Sequence, residues 1–287
     1  MSALLAAVLA LATASVSLSD APSRYATLDG NRIHYKVLGS GPRTLVFVHG
    51  WTGSLAMWRL QAADFAARGF RVVALDLPGH GKSDAPEVSY TMALFARAVD
   101  AVLRDAGVPR AILIGHSMGT PVVREFYRQH PEKTEALVSM DGSLRALFSP
   151  EDAQRILAPY RGAGYASQLE RFADYMIPEN RPELRAEAKA IMTKTPQRVA
   201  LSAFESLADP ANYREDPIRV PLLCVLARSS RWPDDYEAFV RRLAPDAEIR
   251  VLDGAGHFLM LEKPEEVDSV LAAFFEKTGA PAPPEAK

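Results

Sequence analysis

Hydrophobic and polar positions along the chain follow two alternating regimes. Short runs that are apolar on both faces fall at Thr44–His49, Phe70–Asp76, Ala111–Gly115, Ala136–Met140 and Leu222–Ala227. Between them lie longer segments whose apolar residues recur at three- and four-residue spacing, at Leu55–Arg68, Thr91–Ala106, Met118–Gln129, Asp234–Leu243 and Pro264–Lys277. The first pattern predicts strands and the second amphipathic helices. A strand apolar on both faces has to be covered on both sides, so the order implies a mostly parallel, doubly wound α/β sheet. Tyr25–Leu28 and Ile33–Val37 flank Asp29-Gly30-Asn31, the signature of a hairpin turn, and Glu248–Leu252 reads as a last strand. The pattern changes between residues 142 and 219. Helix-like segments at Pro150–Leu157, Tyr165–Met176, Pro182–Thr193 and Gln197–Leu207 follow one another with no strand among them. The expectation is a helical cap, residues 142–219, inserted into a core made of 20–141 and 220–278. The Pro/Ala-rich end, 279–287, is expected to be disordered.

Composition narrows the class. The 287 residues are 48% hydrophobic and 24% charged, which suits one large α/β domain with an insertion. The net charge of −2 is spread in mixed signs, and without a clustered basic face there is no footprint for nucleic acid. No His/Cys cluster has metal-ligand spacing, so neither a metal nor another cofactor is expected. The single cysteine, Cys224, sits inside an apolar run and reads as a buried small hydrophobe. The run Leu4–Ala14 is too short for a bilayer, which takes ~20 residues, so no stable membrane span is expected. It resembles the apolar stretch of a secretory signal, with Ala12-Thr13-Ala14 as a cleavage pattern, although no Lys or Arg precedes it. Residues 1–19 are therefore expected to be a signal peptide of a periplasmic or secreted protein. The alternative is an N-terminal helix of a cytoplasmic one. Oligomeric state is not legible.

One segment carries chemistry most clearly. Gly115-His116-Ser117-Met118-Gly119 follows an apolar strand and opens a helix. A nucleophile at such a strand-to-helix turn needs small residues two positions before and after it, and the helix start offers free N–H groups to a developing oxyanion. A serine hydroxyl is a weak nucleophile and needs a base. Of six histidines, His34 lies in an early strand and is expected to be half exposed, His80 in a Gly-rich turn, His116 inside the elbow and His130 at a helix end. His257 follows the last strand, in Asp253-Gly254-Ala255-Gly256-His257-Phe258, where a loop reaches back toward Ser117. Two oxyanion donors are expected: the main-chain N–H of Met118, and that of Trp51 in the His49-Gly50-Trp51-Thr52-Gly53 loop, where Gly50 allows close approach.

These motifs, with Asp76-Leu77-Pro78-Gly79-His80-Gly81-Lys82-Ser83, resemble the α/β-hydrolase superfamily from about Arg24 to Lys277. The resemblance is to its capped esterase and lipase-like branch, related to haloalkane dehalogenases and epoxide hydrolases. It implies the α/β-hydrolase fold and the chain order Ser…acid…His. Dehalogenases and epoxide hydrolases of that branch carry Asp at the elbow, where this chain has Ser117, which implies an acyl-enzyme route to a carboxylic ester or related small-molecule acyl substrate. The acid departs from the family pattern. A Gly-x-x-Asp turn usually follows the strand matching Leu222–Ala227, but here it reads Ala227-Arg228-Ser229-Ser230. Asp141, at the end of Ala136–Met140, is the first replacement; Asp235 and Asp234 are alternatives, although they also suit a helix N-cap. A triad without an acid is the third case, at a cost of ~10⁴-fold in turnover. Tyr160, Tyr165, Phe172, Tyr175, Met176 and Phe204 are candidates to line a pocket under the insertion, and each aromatic suits the insertion's own core at least as well. A lactonase, a C–C hydrolase or a haloperoxidase would use similar machinery. A ligand-binding protein with little turnover is the rival outside the enzymes.

Overall fold

The computed structural model describes residues 17–229 and 231–279. The run Leu4–Ala14, Ser230 and the end of the chain after Gly279 lie outside the described residues. The packed body begins earlier than residue 20: Leu18 and Ala21 are buried, and Lys36 Nζ donates to the Leu18 and Ser19 carbonyls at 2.9 and 2.7 Å.

Eight strands form one sheet: β1 (Arg24–Leu28), β2 (Asn31–Leu38), β3 (Thr44–Val48), β4 (Arg71–Leu75), β5 (Ala111–His116), β6 (Thr134–Met140), β7 (Leu222–Ala227) and β8 (Glu248–Leu252). Their order is β1-β2-β4-β3-β5-β6-β7-β8. β2 runs antiparallel to both β1 and β4, and every later pairing is parallel. All eight lie where the sequence pattern placed them. Every residue of β3, β5 and β7 is buried, as strands covered on both faces must be. β1 and β8 are the two edges of this sheet, and in β8 Arg250 and Val251 are exposed.

The helices of the core are α1 (Arg59–Ala67), α2 (Met92–Asp105) and α3 (Gly119–Gln129). The segment Leu55–Arg68 is not one helix: a 3₁₀ turn at Leu55–Trp58, capped by the Ser54 hydroxyl, precedes α1. α4 (Pro150–Leu157), α5 (Tyr165–Met176), α6 (Pro182–Met192) and α7 (Gln197–Leu207) follow β6, with no strand among them. Ser149 and Asp152 form a reciprocal capping box that starts α4. α8 (Tyr236–Leu243), α9 (Leu259–Glu262) and α10 (Pro264–Thr278) complete the chain.

The strand order reverses at β3, whose neighbours are β4 on one side and β5 on the other. In an open α/β sheet, ligands bind beyond the carboxyl ends of the strands at such a reversal. The loops leaving β3 and β5 carry Gly50-Trp51 and Ser117.

Candidate active site

Among the described residues four non-glycine ones have left-handed backbone: Asp29 in the β1–β2 turn, Thr52 (φ 55°), Ser117 (φ 52°) and Asp141 (φ 45°). Three of them follow β3, β5 and β6, and two, Ser117 and Asp141, line the same cavity. A β-branched residue such as Thr52 is especially costly there, and strain of this kind persists only where the surroundings enforce it. At Ser117 the cause is visible. A Cβ on Gly115 would lie 2.2 Å from the Gly119 carbonyl oxygen, and one on Gly119 would lie 2.5 Å from that of Val48. Only a glycine pair lets α3 start this close to the sheet. Ser117 N–H donates to the Met140 carbonyl at 3.0 Å, and its own carbonyl accepts from Thr120 N–H at 2.9 Å.

The loop after β3 is held from beneath by buried polar groups. Asp76 accepts from Leu55 N–H at 2.7 Å, from Lys82 N–H at 2.9 Å and from His34 Nδ1 at 2.7 Å. His49 donates from Nδ1 to the Gly50 carbonyl and accepts from Leu77 N–H at Nε2. His34 is thus buried, 2% exposed, rather than half exposed, because the Asp76 carboxylate gives its imidazole a partner inside the core. Burial drives the His80 imidazole down to about 3, so it stays neutral. The main-chain N–H groups of Trp51 and Met118 have no acceptor among the described residues.

Asp141 ends β6 with its carboxylate fully buried. Oδ2 accepts from His257 Nδ1 at 2.7 Å and from Arg231 Nη2 at 2.6 Å, while Oδ1 accepts from Ala227 N–H at 2.8 Å. Burial by itself raises the Asp141 carboxyl, but the His257 bond, the Arg231 charge and the Ala227 N–H outweigh it and hold it below the ordinary carboxylate value. Asp141 is therefore an anion at neutral pH, fixed on three donors. Asp235 is exposed and pairs instead with Arg145 at 2.8 Å. It precedes α8 without making the expected side-chain cap, since its carboxylate is engaged by that arginine. Asp234 is likewise exposed.

The His257 loop is pinned on both sides of the imidazole. Glu262 accepts from Gly256 N–H at 2.6 Å and from Phe258 N–H at 3.1 Å, and the His257 carbonyl accepts from His116 Nε2 at 2.9 Å. Ser117, Asp141 and His257 all line one cavity of about 800 Å³. No hydrogen bond joins Ser117 to His257 among the described residues; such contacts commonly close only when substrate binds. The remaining walls are mainly apolar and come largely from the inserted segment, including Phe148, Ile156, Phe172, Met176 and Phe204. Trp51 ties them to the core: its indole N–H donates to the Ala200 carbonyl at 2.8 Å, and its ring meets Tyr160, Phe172 and Phe204 edge-on at 5.1–5.5 Å. Of the six candidate lining side chains, Tyr160, Phe172, Met176 and Phe204 face this pocket. Tyr165 instead turns its hydroxyl to the Thr195 carbonyl, and Tyr175 is 80% exposed.

Sequence reasoning missed Arg231 and the role of Glu262. Nothing in a lone arginine after a turn marks it as the partner of a carboxylate 90 residues earlier. Glu262 carried a faint signal, a single acid in an otherwise apolar stretch four residues after Phe258. Among the described residues no group of side chains is arranged to hold a metal ion.

This sheet order, with a serine elbow after β5, is that of the α/β-hydrolase fold. A family model described as alpha/beta hydrolase fold matches residues 43–181. Among curated proteins, Protein ABHD8 of Bos taurus is 27% identical over 256 residues, which cover 83% of this chain but only 57% of that protein. This chain thus spans little more than half the length of that relative. Among solved structures, Est816, described as an N-acyl homoserine lactone degrading enzyme, is 26% identical with a TM-score of 0.74, covering 88% of this chain and all of that one. A thermophilic esterase from Thermogutta terrifontis gives a TM-score of 0.81 at 22% identity, over 91% of this chain and all of that one. The family supports a hydrolase.

Proposed function

We propose that the protein is a serine hydrolase that cleaves carboxylic esters through an acyl-enzyme, with Ser117 as nucleophile, His257 as base and Asp141 as the orienting acid. The observation that carries this reading is the 2.7 Å bond from His257 Nδ1 to a buried, ionised Asp141, beside an elbow serine that opens into the same cavity. That bond leaves Nε2 as the lone-pair nitrogen. His257 takes the Ser117 proton as Oγ attacks the ester carbonyl, and the N–H groups of Trp51 and Met118 receive the oxyanion. The proton then passes from Nε2 to the leaving alcohol, and water releases the acid by the reverse path. The segment between β6 and β7 roofs the acyl or alcohol pocket, and its aromatic walls favour an apolar group.

A lactone is a cyclic ester open to the same attack, and the likeness to Est816 is a reason to include lactones in the assay. A fluorophosphonate probe together with p-nitrophenyl esters of graded acyl length tests the reading. The expected result is rapid labelling confined to Ser117 and ester turnover abolished in Ser117→Ala. Labelling no faster than in that variant refutes it and favours a binding protein.

A further inference from the structure

A second, small cavity of about 20 Å³ adjoins the first, with Gly50, Met57, His116, Ser117, His257 and Phe258 in its walls. One wall atom has no protein partner. His116 is 1% exposed, and its Nδ1 makes no hydrogen bond among the described residues. The tautomer is fixed by geometry: Nε2 faces the His257 carbonyl at 2.9 Å and must carry the proton, so Nδ1 presents a lone pair. Burial, reinforced by the neighbouring His257, drives this imidazole down to about 3, so it remains a neutral acceptor through the working range. A Cβ on residue 50 would lie 3.0 Å from both Nδ1 and the Ser117 Cβ, so the space between them stays open because residue 50 is glycine. A buried acceptor without a partner is costly, and roughly 10–15 Å³ is enough to admit one water where polar groups converge.

We propose that this cavity holds the water that hydrolyses the acyl-enzyme, oriented by His116 Nδ1. The inference rests on the serine-hydrolase reading above. Once the leaving alcohol has taken the proton from His257, Nε2 is again a lone pair. The water then donates one O–H to His257 Nε2 and the other to His116 Nδ1, whose rings are centred 4.7 Å apart. With both hydrogens engaged, an oxygen lone pair is left for the acyl carbon. As the new C–O bond forms, the first proton moves to Nε2. The tetrahedral intermediate collapses, the bond from the acyl carbon to Ser117 Oγ breaks, and Nε2 returns the proton to Oγ. One water is consumed and one carboxylic acid leaves. His116 Nδ1 has no part in the acylation step.

Two substitutions separate this role from support of the His257 loop. His116→Gln keeps an N–H able to reach the His257 carbonyl but has no acceptor at the ring δ position; His116→Asn keeps an acceptor there and loses the carbonyl bond. Stopped-flow measurement with p-nitrophenyl butyrate resolves acylation from deacylation. For His116→Gln the expected result is an acylation rate within about threefold of wild type and deacylation slowed about 10- to 100-fold, as for loss of a positioned proton relay. Added methanol should shift its product ratio toward methyl butyrate about tenfold relative to wild type. His116→Asn should deacylate faster than His116→Gln. Equal slowing of both steps in the Gln variant, no slowing, or a worse Asn variant overturns the proposal. If neither variant folds, a crystal structure of the wild-type protein decides: an ordered water within hydrogen-bond reach of His116 Nδ1 is expected, and a dry cavity overturns it. Failure of Ser117 to label in wild type sinks the hydrolase reading itself, which these outcomes leave distinguishable.

Discussion

Replacing Asp141 by Asn exchanges one carboxylate oxygen for an NH₂ group and should remove nearly all turnover. The carboxylate meets three donors, so the amide can satisfy only part of its surroundings. If the amide oxygen stays on Ala227 N–H, the NH₂ group takes the place of Oδ2 and faces His257 Nδ1–H and Arg231 Nη2, donor against donor. The imidazole relieves the clash by moving its proton to Nε2, which leaves no lone pair for Ser117. Related triads lose ~10⁴-fold in turnover from such a change, about 5 kcal/mol of transition-state stabilisation. Arg231 also loses its anion; because its side chain is 31% exposed, water meets part of the deficit and the fold should lose only ~1–2 kcal/mol. The assay is kcat for p-nitrophenyl butyrate at fixed pH, with a thermal melt to show that the variant is folded. Asp234→Asn and Asp235→Asn are the controls and should keep most activity, since both residues lie on the surface. A folded Asp141→Asn variant with more than about a tenth of wild-type kcat, against the ~10⁴-fold loss argued here, would falsify the assignment. So would an equal loss from Asp235→Asn.

Three further outcomes follow from the same geometry. Burial, with Asp64 nearby, raises the Asp268 carboxyl to about 6 despite the bond from Gln61, so the native state holds its proton more tightly than the unfolded chain. Stability contributed by that proton is present below the ordinary value of 3.8 and is lost as pH rises through about 6. Asp268→Asn should therefore raise the melting temperature at pH 8 by about 5 °C and flatten its dependence between pH 4 and 6, and an unchanged pH profile would count against it. Gly115→Ala would press a methyl carbon to 2.2 Å from the Gly119 carbonyl oxygen and should cost ~3 kcal/mol or more, read as a large fall in melting temperature or loss of soluble protein. Arg231→Gln keeps a donor for Asp141 and should change kcat less than about tenfold, whereas a loss matching Asp141→Asn would make the guanidinium itself indispensable.

Much of this molecule was legible from its residues because the sheet is written in one signal. Strands such as Thr44–Val48 and Ala111–His116 are buried on both faces, and an unbroken apolar run has few other uses. The elbow was equally plain, since Gly115 and Gly119 are required by contacts with the neighbouring backbone that any member of the fold must make. The fate of His34 was not legible. Its place in a strand says nothing about Asp76, which stands 42 residues later and turns an ordinary strand position into a buried, hydrogen-bonded one. Tyr175 failed for a related reason: it shares α5 with Phe172 and Met176, and only the helix's rotation about its axis decides which of them meets the cavity.

The displaced acid joins these points. In the usual arrangement a carboxylate reaches the histidine from the turn after β7; here that turn contributes Arg231 and the carboxylate comes from the end of β6. The exchange needs a short reach, because β6 ends closer to β5 than β7 does in the order β5-β6-β7. Asp141 meets it by adopting a left-handed backbone at φ 45°, with its N–H on the Val225 carbonyl, which aims a short side chain back at His257. Gly142 follows directly, and a Cβ there would lie 2.1 Å from Thr120 Oγ1, so the chain after β6 is packed tightly against the start of α3. Asp141 and Ser117 are thus braced by one another's loops. The placement of Asp141 therefore depends on the same glycine-only packing that places Ser117, and Arg231 adds to the His257 bond a second donor that helps hold the buried carboxylate ionised.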